Sequence, residues 1–193
     1  MLKRLFQISV LLLTLFGSLR LYYNKQIGSV LDEYNGVEVY FNSIPFTSKG
    51  KSLAEDGYVF GEKYESLEFV KRYYYEHYGY RLPESVENIE ELFDSSLEDG
   101  ERNSKLGLIQ YSNPSGYPIK EGDIVIFTSN FYNPDGHVAI VSKVGSKEIE
   151  IVQQNCWKST RRVLDIEKKE SLWYIEDERV VGRLQKKNME DIE

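Results

Sequence analysis

The stretch "HVAIVSKVGSKEIEIVQQN", residues 137–155, decides the architecture. Its halves are rich in β-branched residues, the second alternates with period two, and a short Gly-Ser-Lys break separates them, so they predict an antiparallel hairpin. Alternation places Ile149, Ile151, Gln153 and Asn155 on one face of the second strand. With Gly145 to Lys147 as a three-residue loop, His137 stands opposite Asn155 with Gln153 on the adjacent diagonal. A two-residue loop sets His137 against Gln154 instead. Either register brings an imidazole beside an amide.

Short strand-like runs surround this hairpin: "GDIVIF" (122–127), "SLWYIE" (171–176) and "RVVGRLQ" (179–185). Their close spacing implies hairpins and an antiparallel sheet. Upstream, Leu67, Val70, Tyr74 and Tyr78 recur at helical spacing, with Gly79 placed to stop the helix, so residues 66–78 read as helical. One helix ahead of a meander is an α+β arrangement. "NGVEVYFNS" reads as a short strand after an Asn-Gly turn. The acidic segment from Pro83 reads as a short helix around 86–94 and then a solvated loop. Residues 110–122 read as a turn-rich connection.

At the front, Lys3 and Arg4 precede a mostly apolar run from Leu5 to Leu19. The run is shorter than the ~20 residues of a usual spanning helix, which suits a signal peptide. No A-x-A pattern follows it, however, and Tyr22, Tyr23 and Lys25 suit an interfacial flank, so an uncleaved membrane anchor is favoured. Basic residues before the run put the chain beyond about residue 25 outside the cytoplasm.

A formal charge of -7 in 193 residues offers no basic stripe for phosphates and argues against nucleic acid as a partner. One cysteine, Cys156, excludes an intrachain disulfide and a thiolate metal cluster, and two histidines poorly supply a catalytic zinc. No cofactor or metal is expected. Cys156 is read as a small buried hydrophobe, and His77 as packing at the end of the helix.

Four segments in order, "ESLEF" (65–69), "GDIVIF" (122–127), "GHVAIV" (136–141) and "QQN" (153–155), resemble the CHAP domains. These are cysteine- and histidine-dependent amidohydrolases and peptidases of papain-like fold, with a helix packed on an antiparallel sheet. The resemblance covers roughly residues 55–185. It divides the chain into an anchor segment (1–24), a linker with a short strand (25–54), a CHAP-like domain (55–187) and a tail (188–193).

The resemblance puts Ser66 where members carry the nucleophilic cysteine, His137 as general base, and Gln153 as the residue orienting the imidazole. Asn155 matches a polar residue near that histidine. Two positions depart from the pattern: the cysteine is serine and the usual acid is an amide. Glu65 and Leu67 also replace the usual Gln and Val. Ser66 has two roles open to it, a helix N-cap or a working nucleophile. The implied substrates are amides of peptidoglycan peptides or of glutathionylspermidine. The implied setting is the inner membrane of a bacterium, with the domain in the periplasm or outside the cell and its activity lost or reduced.

Overall fold

The computed structural model describes residues 2–42, 49–131 and 133–187; the expected tail, 188–193, lies outside them. Helix α1 (Leu2–Asn24) runs past the apolar core of the leader because Arg20 to Tyr23 continue its turns. Its 23 residues span about 34 Å at roughly 1.5 Å per residue. It is long and apolar enough to cross a membrane, and none of its apolar window is buried by the described residues.

Within the segment expected as a linker with a short strand, 25–54, the described residues include strands. Strands β1 (Val30–Tyr34) and β2 (Val37–Tyr40) form a hairpin across Asn35 and Gly36, whose φ values of 50° and 83° match the turn type that Asn-Gly favours. Val37 and Val39 are buried in the main core, so this region belongs to the domain. A second hairpin, β3 (Lys51–Leu53) and β4 (Val59–Glu62), leads into helix α2 (Ser66–Tyr78). Gly79 ends α2 in the left-handed conformation, and the N–H groups of Gly79 and Tyr80 cap the last carbonyls of Tyr75 and Tyr74. The acidic segment beyond it contributes only one 3-10 turn, Ile89–Leu92, with a capping box between Asn88 and Glu91.

The remaining strands are β5 (Arg102–Asn103), β6 (Leu108–Ser112), β7 (Ile124–Phe127), β8 (His137–Val144), β9 (Glu148–Val152), β10 (Arg161–Lys169), β11 (Leu172–Ile175) and β12 (Val180–Gln185). They form one sheet in the order β11-β10-β9-β8-β7-β12-β6-β5, with every neighbouring pair antiparallel. The expected meander therefore holds only from β7 to β11. Strand β12 returns to lie between β6 and β7. A bridge from Ser115 to Trp173 ties the chain beyond β6 to β11, which curls the sheet on itself.

Both faces of this curl are apolar. Phe69, Val70, Tyr73 and Tyr74 of α2 pack with Ile124, Ile126, Val138 and Ile140 on the outer face. Val125, Phe127, Ala139, Val141, Ile149 and Ile151 fill the inner one. That is why "GDIVIF" is a continuous apolar run rather than an alternating one.

A buried ion pair pins β12 in place. Arg183 donates to the Asp123 carboxylate at 2.8 Å and to the Tyr117 carbonyl at 2.7 Å, while Gln185 donates to the other Asp123 oxygen at 2.9 Å. Both charged side chains are almost fully buried, at 2% and 1% exposure. Removing one partner strands the other charge in the core. Asp123→Ala is expected to lower stability by about 3–5 kcal/mol in urea unfolding, with partial recovery on adding Arg183→Met.

Candidate functional site

The start of α2 is built by a sharp entry. Tyr64 adopts a positive φ of 69°, and the Glu65 N–H bonds the Glu62 carbonyl, which leaves Glu65 extended at φ -80°, ψ 159°. Glu65 is therefore the N-cap residue and Ser66 the first helical one, which removes one of the two roles open to Ser66, the N-cap. The cap side chain does not close on the helix. Its two carboxylate oxygens accept from Asn42 at 3.1 Å and Asn155 at 2.5 Å. Burial pushes the Glu65 carboxyl up, opposed by these two amide bonds. Ser66 is only 5% exposed, and its hydroxyl bonds no described residue.

His137 opens β8, opposite Phe127 of β7. Gly136 precedes it at φ 75°, where a Cβ would meet the Phe127 carbonyl at 2.9 Å, so only glycine allows this approach. The hairpin has neither of the turns expected from the sequence, yet a bulge returns it to the register of the three-residue alternative. Gly145 bonds Glu148 across a two-residue turn and Val144 pairs with Ile149. A bulge at Ser142 then shifts the pairing to Val141 with Ile151. Continued past Ile140 and Val152, that register carries His137 level with Asn155.

His137 Nε2 lies 3.1 Å from Gln153 Oε1. The Gln153 amide nitrogen donates to the Ser159 carbonyl at 2.9 Å, which fixes the orientation of the amide and leaves its oxygen toward the ring. Nε2 must then carry the proton, and Nδ1 is the bare, basic nitrogen. Burial pulls the His137 pKa down to about 4, only partly offset by the Gln153 bond. The ring is neutral at neutral pH.

Asn155 does not reach the imidazole. It leaves the strand at φ 64° and turns its amide to Glu65. Cys156 follows in the same turn, with Sγ 3.4 Å from His137 Nε2. This contact, absent from the sequence expectation, lies on the protonated side of the ring. Burial pushes the thiol up to about 11, so it is an unactivated SH. His77 packs on Tyr73 and Tyr78 at the far end of α2.

Ser66, His137, Asn155 and Glu65 line one cleft of about 540 Å³. Its walls are Asn133 to Gly136 on one side and the segment from Glu84 to Glu90 on another, with β3 and β4 contributing Lys51, Val59 and Glu62. The Lys71 ammonium is held in the floor by the carbonyls of Val86 at 2.7 Å and Glu84 at 3.5 Å. A separate hollow of about 580 Å³, over Arg72 and Tyr40, includes neither Ser66 nor His137. Sequence reasoning missed Glu65 as the group facing Asn155. The available signal was its replacement of an amide directly before Ser66.

The sequence profile of the CHAP domain matches residues 57–155, a segment that contains Ser66, His137, Gln153 and Asn155. A search of curated proteins returned no match.

The buried neutral ring carries a pH signature. Between its ordinary value of 6.5 and about 4, the unfolded chain binds a proton that folded His137 refuses, so stability falls as pH drops through that window. The gap corresponds to roughly 3.5 kcal/mol at about 1.4 kcal/mol per unit. Urea titrations are expected to show this loss in the native chain relative to His137→Phe. Long-range ¹H-¹⁵N spectra are expected to show the Nε2–H tautomer at neutral pH; a ring midpoint near 6.5 would contradict the burial argument.

Proposed function

The chain belongs to the CHAP domain family, and from that membership we propose that it is a membrane-anchored, extracytoplasmic amide-binding domain of amidase or peptidase type whose turnover is lost or strongly reduced. The observation that carries this reading is the state of the nucleophile position. The Ser66 hydroxyl stands in the cleft without a bond to His137, and the base it would need is held near pKa 4.

Three physical arguments support it. A hydroxyl stays protonated where a thiol would ionise, so attack requires a base of well-matched pKa, and burial has made this one weak. Gln153 orients the ring but brings no negative charge to stabilise an imidazolium, unlike the acid usual at that position. The Glu65 carboxylate sits directly before Ser66 and, where ionised, opposes the negative charge that grows on a carbonyl oxygen during attack.

We read the placement of Ser66 on α2 and His137 on the sheet as the papain-like arrangement. The ligand we propose is a peptide amide, from peptidoglycan stem peptides or cross-bridges, or of glutathionylspermidine type. The cleft walls carry both Lys49, Lys51, Lys63 and Lys71 and Glu62, Glu84, Glu87 and Asp135, which suits a chain bearing ammonium and carboxylate groups together. Helix α1 provides the inner-membrane attachment, with Lys3 and Arg4 on the cytoplasmic side.

One observation favours a second reading, an active serine hydrolase. With Nε2–H given to Gln153, Nδ1 is bare and the ring neutral, which is the protonation state a general base needs.

The two readings separate on turnover of cell-wall peptide and glutathionylspermidine. The native chain is expected near background. Ser66→Cys is expected to raise hydrolysis, with a further gain on adding Glu65→Gln and Gln153→Glu, about 10²-fold or more in total. A thiol alkylating agent then modifies position 66 before Cys156, and His137→Ala abolishes the gain. Native hydrolysis that Ser66→Ala stops would overturn the degenerate reading in favour of the serine hydrolase.

A further inference from the structure

The last turn of α1 does not end in solvent. The Tyr23 ring lies 4.7 Å from that of Trp157 and 6.3 Å from that of Phe41, and Phe41 and Trp157 are 5.5 Å apart. The Lys158 ammonium stands over Tyr23 and Phe41 at 6.0 and 5.7 Å. Trp157 holds a positive φ of 54°, an unfavourable state for a bulky residue, in the turn that carries Asn155 and Cys156. That turn therefore touches the end of α1 on one side and the candidate site on the other.

Depth follows from length. The apolar helix from Lys3 to Asn24 has 22 residues, about 33 Å at roughly 1.5 Å per residue, against a hydrocarbon core of about 30 Å. With Lys3 and Arg4 at one face of a bilayer, Tyr22 and Tyr23 reach the other. Trp157, stacked edge-on against Tyr23, comes to the same level. Tyr22 and Trp157 remain 59% and 49% exposed, and Arg20, Lys25 and Lys158 lie beside them in sequence. Half-exposed Trp and Tyr rings interleaved with basic side chains are the composition of an interfacial belt.

We propose that the turn Asn155–Lys158 docks on the membrane interface, seating Trp157 and Lys158 among phospholipid headgroups and holding the Ser66–His137 cleft beside the bilayer surface. Asn155 is two residues from Trp157, within about 7 Å along the chain. The cleft thus serves an amide presented close to the membrane rather than one free in bulk solution. This rests on α1 being the anchor, so the test scores anchoring separately.

The full chain is reconstituted in phosphatidylcholine vesicles containing phosphatidylglycerol, with spin-labelled lipids carrying the quencher either near the headgroup or deep in the acyl chain. Trp173 is the second tryptophan, so the Trp157 signal is read in Trp173→Phe and, independently, as the difference between the native chain and Trp157→Phe. The shallow label is expected to quench Trp157 at least twofold more than the deep one. Extraction of the protein by alkaline carbonate would overturn the anchor reading. Resistance to carbonate with no quenching of Trp157, or with stronger quenching by the deep label, would overturn the interfacial docking alone.

Discussion

The side chain of Gln154 is the tie on which the site depends. Its amide nitrogen donates to the Glu65 carbonyl at 3.0 Å and the Glu68 carboxylate at 2.7 Å, and its oxygen accepts from the Tyr40 N–H at 2.8 Å. One residue thus fixes the end of β9, the start of α2 and the end of β2 relative to one another. Glu68 is also held by Arg72 one turn on at 2.8 Å and by Ser52 of β3 at 3.0 Å. Strand alternation then deals out the neighbours of Gln154. Gln153 points to His137, while Asn155 turns toward Glu65. A buried network of this kind is rigid only while every member is satisfied.

Around that tie, burial and the charge of the site residues are matched. A thiolate, an imidazolium and an acid form an ionised set that needs polar surroundings. Ser66, His137 and Gln153 can all be neutral, and neutral groups tolerate burial far better. The low pKa of His137 and the high pKa of Cys156 arise from the same desolvation. The carboxyl nearby, Glu65, is accommodated by two amide donors rather than by a cation. A neutral set of this kind holds a ligand by hydrogen bonds and, on the reading proposed above, offers little to a transition state that develops charge.

Much of this was legible in the sequence where the signal was local. The bounds of α2 followed from apolar spacing and Gly79, and the strand from His137 to Val144 from its run of β-branched residues. Gln153 beside His137 followed from the period-two alternation of the next strand. What escaped was non-local or conformational. Strand β10 reads as charged because only Leu164 and Ile166 are buried along it. The place of β12 depends on Arg183 finding Asp123 far upstream, which no window of sequence displays. The bulge at Ser142 and the left-handed Asn155 and Trp157 are backbone choices made by packing, and Asn155 changed partner because of one.

The insertion of β12 between β6 and β7 also dictates an order of assembly. Until residues 180–185 arrive, β6 and β7 each present a bare row of N–H and C=O groups, separated by the width of the strand that is missing. Helix α2 and the hairpins from β7 to β11 can form earlier from local contacts, but the sheet cannot be finished by them. Loss of the chain from Val180 onward would therefore not yield a smaller domain. It would yield two open strand edges and a guanidinium-less Asp123, a species primed to pair with its own copies.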